Sequence, residues 1–271
     1  MEISTDNQLA RTKNWESRIR SIVPRFLATA LLLSMVGAMP FNSVAAASAS
    51  AQCTPDFNIS ASTSATVTRG ATKLLGFTVT AICGFTGNIG WFPSVTAPSH
   101  TATNGPALHQ ATYHPIVLSS THTSGGASFQ AITTENTLMT TWTITVTAYY
   151  NSNPPLRHTV NIQLTVDDFA IAANPTSITT SVGTTVTPTV TATSQNGFSG
   201  QIFYSGLLSP STVSPESCNL QPPQPILGAG SSVTSTLTCN FATQGTYTMV
   251  EAATPFSGVP SHNVTITFIV K

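Results

Sequence analysis

Three segments of this chain recur, in the same order, about one small domain further along. Asp56-Phe57-Asn58-Ile59-Ser60 returns 112 residues later as Asp168-Phe169-Ala170-Ile171-Ala172. Gly84-Phe85-Thr86-Gly87-Asn88-Ile89 returns 113 residues later as Gly197-Phe198-Ser199-Gly200-Gln201-Ile202. His158-Thr159-Val160-Asn161-Ile162-Gln163-Leu164-Thr165-Val166 returns 104 residues later as His262-Asn263-Val264-Thr265-Ile266-Thr267-Phe268-Ile269-Val270. Such a period is too long for a solenoid unit and suits a whole domain. Two copies of one domain are therefore expected, over 52–166 and 167–271, and the shorter third offset places extra residues in the middle of copy one.

Inside each copy the apolar residues recur at every second position, which is the strand signal. Thr141-Trp142-Thr143-Ile144-Thr145-Val146-Thr147-Ala148 alternates a hydroxyl face with an apolar face, and Val233-Thr234-Ser235-Thr236-Leu237-Thr238 does so more weakly. Turn signals at Arg69-Gly70, Gly125-Gly126, Asn153-Pro154-Pro155, Val182-Gly183, Gly228-Ala229-Gly230 and Gln244-Gly245 punctuate these runs. The pattern predicts an all-β chain with about seven strands per copy, packed as two antiparallel sheets.

Charge narrows the function classes. Of the 271 residues only 7% are charged, with 9 Lys+Arg against 9 Asp+Glu, so the basic excess of a nucleic-acid binder is absent. A hydrophobic content of 41% is too high for a disordered chain. The basic residues are unevenly placed: Arg11, Lys13, Arg18, Arg20 and Arg25 precede an apolar run over 26–39, followed by small residues from Ala45 to Ala51. That order reads as a secretory signal peptide over 1–51. Cleavage after Ala47, Ala49 or Ala51 fits, with Ala51 preferred. Retention as an anchor is disfavoured, because roughly 14 apolar residues fall short of the ~20 needed to span a bilayer. Gln52 before Cys53 argues against lipid attachment. The remainder carries Arg69, Lys73, Arg157 and Lys271 against Asp56, Glu135, Asp167, Asp168, Glu216 and Glu251. It contains no second apolar span, so no membrane span is expected there, and its solubility must rest on hydroxyls and amides.

These residues resemble the tandem immunoglobulin-like repeats of bacterial and archaeal extracellular and cell-surface proteins. Copy two carries the pattern almost throughout: Asp168-Phe169, Asn174-Pro175-Thr176-Ser177-Ile178, Gln195-Asn196-Gly197-Phe198-Ser199-Gly200, Ser231 to Leu237, and Gly245-Thr246-Tyr247-Thr248. Copy one keeps the opening, the Gly84-Phe85-Thr86-Gly87 turn and the last two strands, but departs over 93–131. The resemblance implies two tandem immunoglobulin-like sandwiches and an extracellular or cell-surface setting; it implies little about activity. It also implies that Trp91 and Tyr204 in the third strand, and Trp142 and Tyr247 in the penultimate strand, point between the sheets as core. Tyr247 is further expected to form a tyrosine corner.

Four cysteines in an exported chain should pair. A hairpin turning near Arg69-Gly70 brings Cys53 to Cys83, and Cys218 and Cys239 flank Gly228-Ala229 as hairpin partners, so these two bonds are predicted. The sequons Asn58-Ile59-Ser60 and Asn263-Val264-Thr265 are glycosylation candidates on solvent faces. No nucleophile elbow, phosphate loop, metalloprotease histidine pair or facing carboxylate pair occurs, so no enzyme and no cofactor are expected. His100, His109, His114 and His122 crowd the divergent middle of copy one, with Tyr113 nearby. They make a weak metal candidate, since spacings of 9, 5 and 8 match no metal motif, and a better interaction surface. His158 and His262, equivalent in the repeat, read as structural. Val166-Asp167-Asp168-Phe169 joins the copies without a flexible linker, predicting a semi-rigid rod. The expected function is non-catalytic: adhesion, surface-layer or envelope association, or protein interaction, with other surface proteins or glycans as partners and possible self-association. The alternatives are a carbohydrate-binding accessory module for extracellular enzymes, or an envelope subunit assembling by strand exchange.

Overall fold

The computed structural model describes residues 53–99, 103–110, 113–210, 217–256 and 258–271; the predicted signal segment 1–51 and His100 lie outside them. Every described element is a strand. The first nine are β1 (Asp56–Ala61), β2 (Ser64–Thr68), β3 (Thr72–Ile82), β4 (Gly87–Thr96), β5 (Ala107–His109), β6 (Ile116–Leu118), β7 (Ser124–Ile132), β8 (Thr141–Tyr150) and β9 (Leu156–Asn174). The rest are β10 (Ser177–Thr180), β11 (Thr189–Gln195), β12 (Gly200–Ser209), β13 (Ser217–Gln221), β14 (Ile226–Leu227), β15 (Ser232–Asn240), β16 (Gly245–Pro255) and β17 (His262–Val270).

The strands build two immunoglobulin-like β-sandwiches. In the first, a sheet in the order β1-β3-β7-β5 faces one in the order β2-β9-β8-β4-β6. In the second, β13-β15-β11-β9 faces β10-β17-β16-β12-β14. The orders correspond strand for strand. Even in the divergent middle, β5 and β13 pair with β7 and β15, while β6 and β14 pair with β4 and β12. The described strands of the divergent segment therefore keep the pairing order of their counterparts in copy two.

Two features depart from the sequence expectation. Neither sandwich is wholly antiparallel, since β2 runs parallel to β9 and β10 parallel to β17. The opening strand of each copy breaks, at Ser62-Thr63 and at Pro175-Thr176, and its second half crosses to the opposite sheet beside the last strand. Pro175 carries no N–H for the ladder, which favours a break there. The second departure is strand number: the broken opening strand and the extra pair β5/β6 or β13/β14 raise the count above seven.

The repeated Gly-Phe turns have a shared cause. Cys83-Gly84 have φ of 55° and 71°, and Asn196-Gly197 have 51° and 88°. Two successive left-handed residues make a tight turn, which here carries the chain from one sheet to the facing one, β3 to β4 and β11 to β12. Phe85 N donates to Ile82 O at 3.1 Å and Phe198 N to Gln195 O at 3.2 Å, closing the two turns.

Alternation then fills the cores. Trp142, Ile144, Val146 and Ala148 of β8 are buried against Phe57, Phe77, Trp91 and Phe129. In the second sandwich Leu237, Phe241, Tyr247, Met249, Ile266 and Phe268 pack together, next to a cluster around Phe169, Phe198 and Ile202. Each large side chain so buried is worth about 1.5–3 kcal/mol relative to exposure. Disulfides join Cys53 to Cys83, tying the N-terminal residues to the end of β3, and Cys218 to Cys239, which face one another across β13 and β15.

Candidate functional site

The two halves of the repeat place one constellation twice. His158 Nε2 lies 2.9 Å from Asp56 Oδ1, and the same oxygen accepts from Phe57 N at 2.7 Å. His262 Nε2 lies 2.8 Å from Asp168 Oδ1, which accepts from Phe169 N at 2.7 Å. Each histidine also stands edge-on to the phenylalanine after its aspartate, with ring centroids 4.7 Å apart in both copies. Burial pushes the Asp56 carboxyl up, but the hydrogen bonds from His158 and Phe57 N outweigh it and leave the group below the usual carboxylate range.

The second constellation lies at the junction and gains partners from the first sandwich. Asp168 is wholly buried and its other oxygen pairs with the Arg69 guanidinium from the β2–β3 turn. Arg69 N donates to Asp167 O at 2.9 Å, and Asn196 Nδ2 donates to Val166 O at 2.6 Å. The neighbouring Asp167 carboxyl is raised above its ordinary value, chiefly by burial and further by Asp168, with Thr68 opposing. Through this knot runs β9, paired with β8 from Leu156 to Thr165 and with β11 from Asp168 to Asn174.

Of the four histidines in the divergent segment, His109, His114 and His122 lie among the described residues. His109 is exposed on β5, while His114 and His122 are exposed on either side of β6. Among the described residues no three His, Cys, Asp or Glu side chains gather as a metal would require. His114 and His122 do share a groove of about 470 Å³ with Trp91, Ile116, Val117 and Gly125. The His114 carbonyl accepts from Trp91 Nε1 at 3.1 Å, and His122 Nδ1 lies 3.2 Å from the Thr121 hydroxyl.

Trp91, Trp142 and Tyr247 are buried, and Tyr204 is half-buried. Trp142 Nε1 donates to Leu138 O at 3.2 Å, and the Tyr247 hydroxyl donates to Thr243 O at 3.2 Å, in each case to the carbonyl four residues upstream. Asn58 and Asn263 are exposed on β1 and β17.

Two features escaped sequence reasoning. Arg69 gives no local sign of reaching Asp168, because the contact is purely tertiary. Glu251, by contrast, stands on the buried face of β16 between Met249 and Ala253, and strict alternation from Tyr247 would have revealed it. Burial pushes its carboxyl up to about 7 and, with the Glu251 charge adding, the Tyr204 phenol up to about 12. Glu251 Oε2 and the Tyr204 hydroxyl have no hydrogen-bond partner among the described residues.

No protein-family model matches the chain, and neither does any curated protein sequence. Solved structures do resemble it. The C-terminal domain of the Streptococcus agalactiae AgI/II polypeptide BspA is 8% identical with a TM-score of 0.40, over 80% of this chain and 100% of that one. Domains 4 and 5 of the S-layer protein SbsC are 16% identical with a TM-score of 0.29, over 51% and 68%. The mouse clustered PcdhgC3 EC1-3 structure is 16% identical with a TM-score of 0.33, over 81% and 68%. Likenesses this remote carry no functional argument; the class, a tandem immunoglobulin-like β-sandwich protein, is defined by the strand order itself.

Proposed function

We propose that this chain is an exported, non-catalytic surface protein, in which two immunoglobulin-like domains, 52–166 and 167–271, act as a binding and spacing element in adhesion or envelope association after removal of residues 1–51. The observation that carries the reading is the junction. β9 passes from one sandwich to the other as a single strand of 19 residues, flanked by the Arg69–Asp168–His262 cluster and the Asn196–Val166 bond. A junction without a Gly, Ser or Pro linker holds two binding faces in one relation, which suits a spacer or an assembled surface component. Two disulfides support an oxidising compartment, and the basic, then apolar, then small-residue order of 1–51 supports export. Asn58 and Asn263 are proposed as glycan attachment points, since both lie on exposed strand faces.

Fractionation of host cells, with protease shaving of intact cells, tests this reading. The chain is expected in the extracellular or envelope fraction, beginning near residue 52 and degraded by external protease. A reduced, uncleaved chain in the cytoplasm would overturn it.

A further inference from the structure

We infer that the outer face of the β4–β8–β9 sheet in the first sandwich is a binding site for an uncharged polysaccharide, with Phe92, Tyr113 and Tyr149 as its aromatic shelf. The inference rests on the surface-protein reading above and supplies the ligand class it lacks.

The shelf begins at Gly90. Gly90 lies opposite Tyr149 in the β4–β8 register, and a Cβ there would collide with the Tyr149 ring, so the absent side chain lets the ring lie against the strand. The Phe92 and Tyr149 ring centroids are 6.2 Å apart, and the Tyr113 and Tyr149 hydroxyls are 3.3 Å apart. That hydrogen bond, the largest influence on Tyr149, raises its phenol above the ordinary value. Phe92 is 42% and Tyr113 50% exposed, and Tyr113 also stacks on Trp91 with ring centroids 6.3 Å apart. Aromatic rings that show a face to solvent with a polar rim suit ligands having both apolar and hydroxyl surfaces.

Beside the shelf runs a polar ladder. The Thr145 hydroxyl donates to Asn161 Oδ1 at 2.9 Å and the Thr143 hydroxyl to Gln163 Oε1 at 3.2 Å. Both amides therefore spend an oxygen within the sheet, and their NH2 groups remain as oriented donors next to threonine oxygens that can still accept. Sugar hydroxyls need donors and acceptors side by side, and C–H faces that can rest on rings. Among the described residues, Arg157 is the one charged side chain on this face of β4, β8 and β9 up to Thr165. A polyanion would find too few cations here, and a protein hot spot would want a desolvated apolar centre rather than a hydroxyl ladder.

The test is affinity electrophoresis of the full-length chain through gels containing a neutral β-glucan or a galactomannan, with polygalacturonate as the charged control. Retardation is expected in at least one neutral gel and not in the charged one. Phe92→Ala and Tyr113→Ala should each weaken it at least 10-fold, while Leu207→Ala, on the second sandwich, should leave it unchanged. Unaltered melting temperatures would show that the variants are folded, and Asn161→Ala offers a variant away from the rings. Absence of retardation in both neutral gels, or retardation unaffected by all three first-sandwich variants, would overturn the inference. So would equal retardation by polygalacturonate, or loss of a protein contact with Phe92→Ala where no polysaccharide binds. A surface-exposed chain that ignores every polysaccharide sinks the ligand and spares the surface reading, whereas a cytoplasmic chain sinks the latter.

Discussion

His262 Nε2 approaches Asp168 Oδ1 to 2.8 Å, repeating within the junction the 2.9 Å approach of His158 to Asp56 at the far end of the first sandwich. The settings differ: Asp168 is wholly enclosed, whereas Asp56 is about a third exposed. Among the described residues, only the enclosed copy pairs with an arginine, Arg69 of the other sandwich. In copy two the repeated pair is thus part of the contact between the two sandwiches.

Asp168→Ala should destabilise the chain by roughly 3–5 kcal/mol, because it leaves the Arg69 charge half-buried without its partner. Asp56→Ala should cost less than about 1 kcal/mol, since solvent screens the exposed pair. Denaturant unfolding of both variants measures the difference, and equal costs would mean that the junction cluster has no special role.

Glu251 gives a pH dependence of defined sign. Its carboxyl moves from an ordinary 4.5 to about 7 on folding, so the folded state holds a proton that the unfolded chain has released. Its contribution is complete below the ordinary value and is lost as pH rises to about 7, a fall of about 3 kcal/mol. Glu251→Gln should flatten that part of the stability profile. Glu251→Val restores the residue type of Val146, its counterpart on β8, and should raise stability at pH 8. Chemical denaturation between pH 4 and 8 decides, and an unchanged slope in Glu251→Gln would refute the assignment.

Alkylation under denaturing, non-reducing conditions should label none of Cys53, Cys83, Cys218 or Cys239, and labelling of all four should follow reduction. Replacing Cys218 and Cys239 together should cost about 3 kcal/mol, as expected for closing a loop of this size. Intact mass and denaturant midpoints provide the readouts.

Gly90→Ala should destabilise by roughly 1–3 kcal/mol, the usual range for overpacking, because Tyr149 must leave its place on β4. Gly183→Ala makes a useful contrast: no atom crowds that position, so its cost comes from φ of 76° alone. Near-UV circular dichroism should change for Gly90→Ala, reporting the displaced tyrosine, and stay unaltered for Gly183→Ala.

The sequence by itself determined the secondary structure class, the duplication and the inward-facing set. Alternation of period two is a local property, and a strand with one apolar face must turn it towards another sheet. Reading Trp91, Trp142, Tyr204 and Tyr247 as core needed the resemblance to immunoglobulin-like repeats as well, and Tyr204 is half-buried; the repeat aligned Asp56 with Asp168 and His158 with His262, but not each aspartate with its histidine. Only the tertiary structure decided which strands cross between sheets, since the parallel pairs β2–β9 and β10–β17 join residues far apart along the chain. It also decided that His114 and His122 line one groove, and brought Arg69 onto Asp168. Phe92, Tyr113 and Tyr149 come from three different segments and become one shelf only when β8 lies against β4 and Gly90 admits a ring. Contacts of that kind depend on register and close approach, which no local pattern encodes.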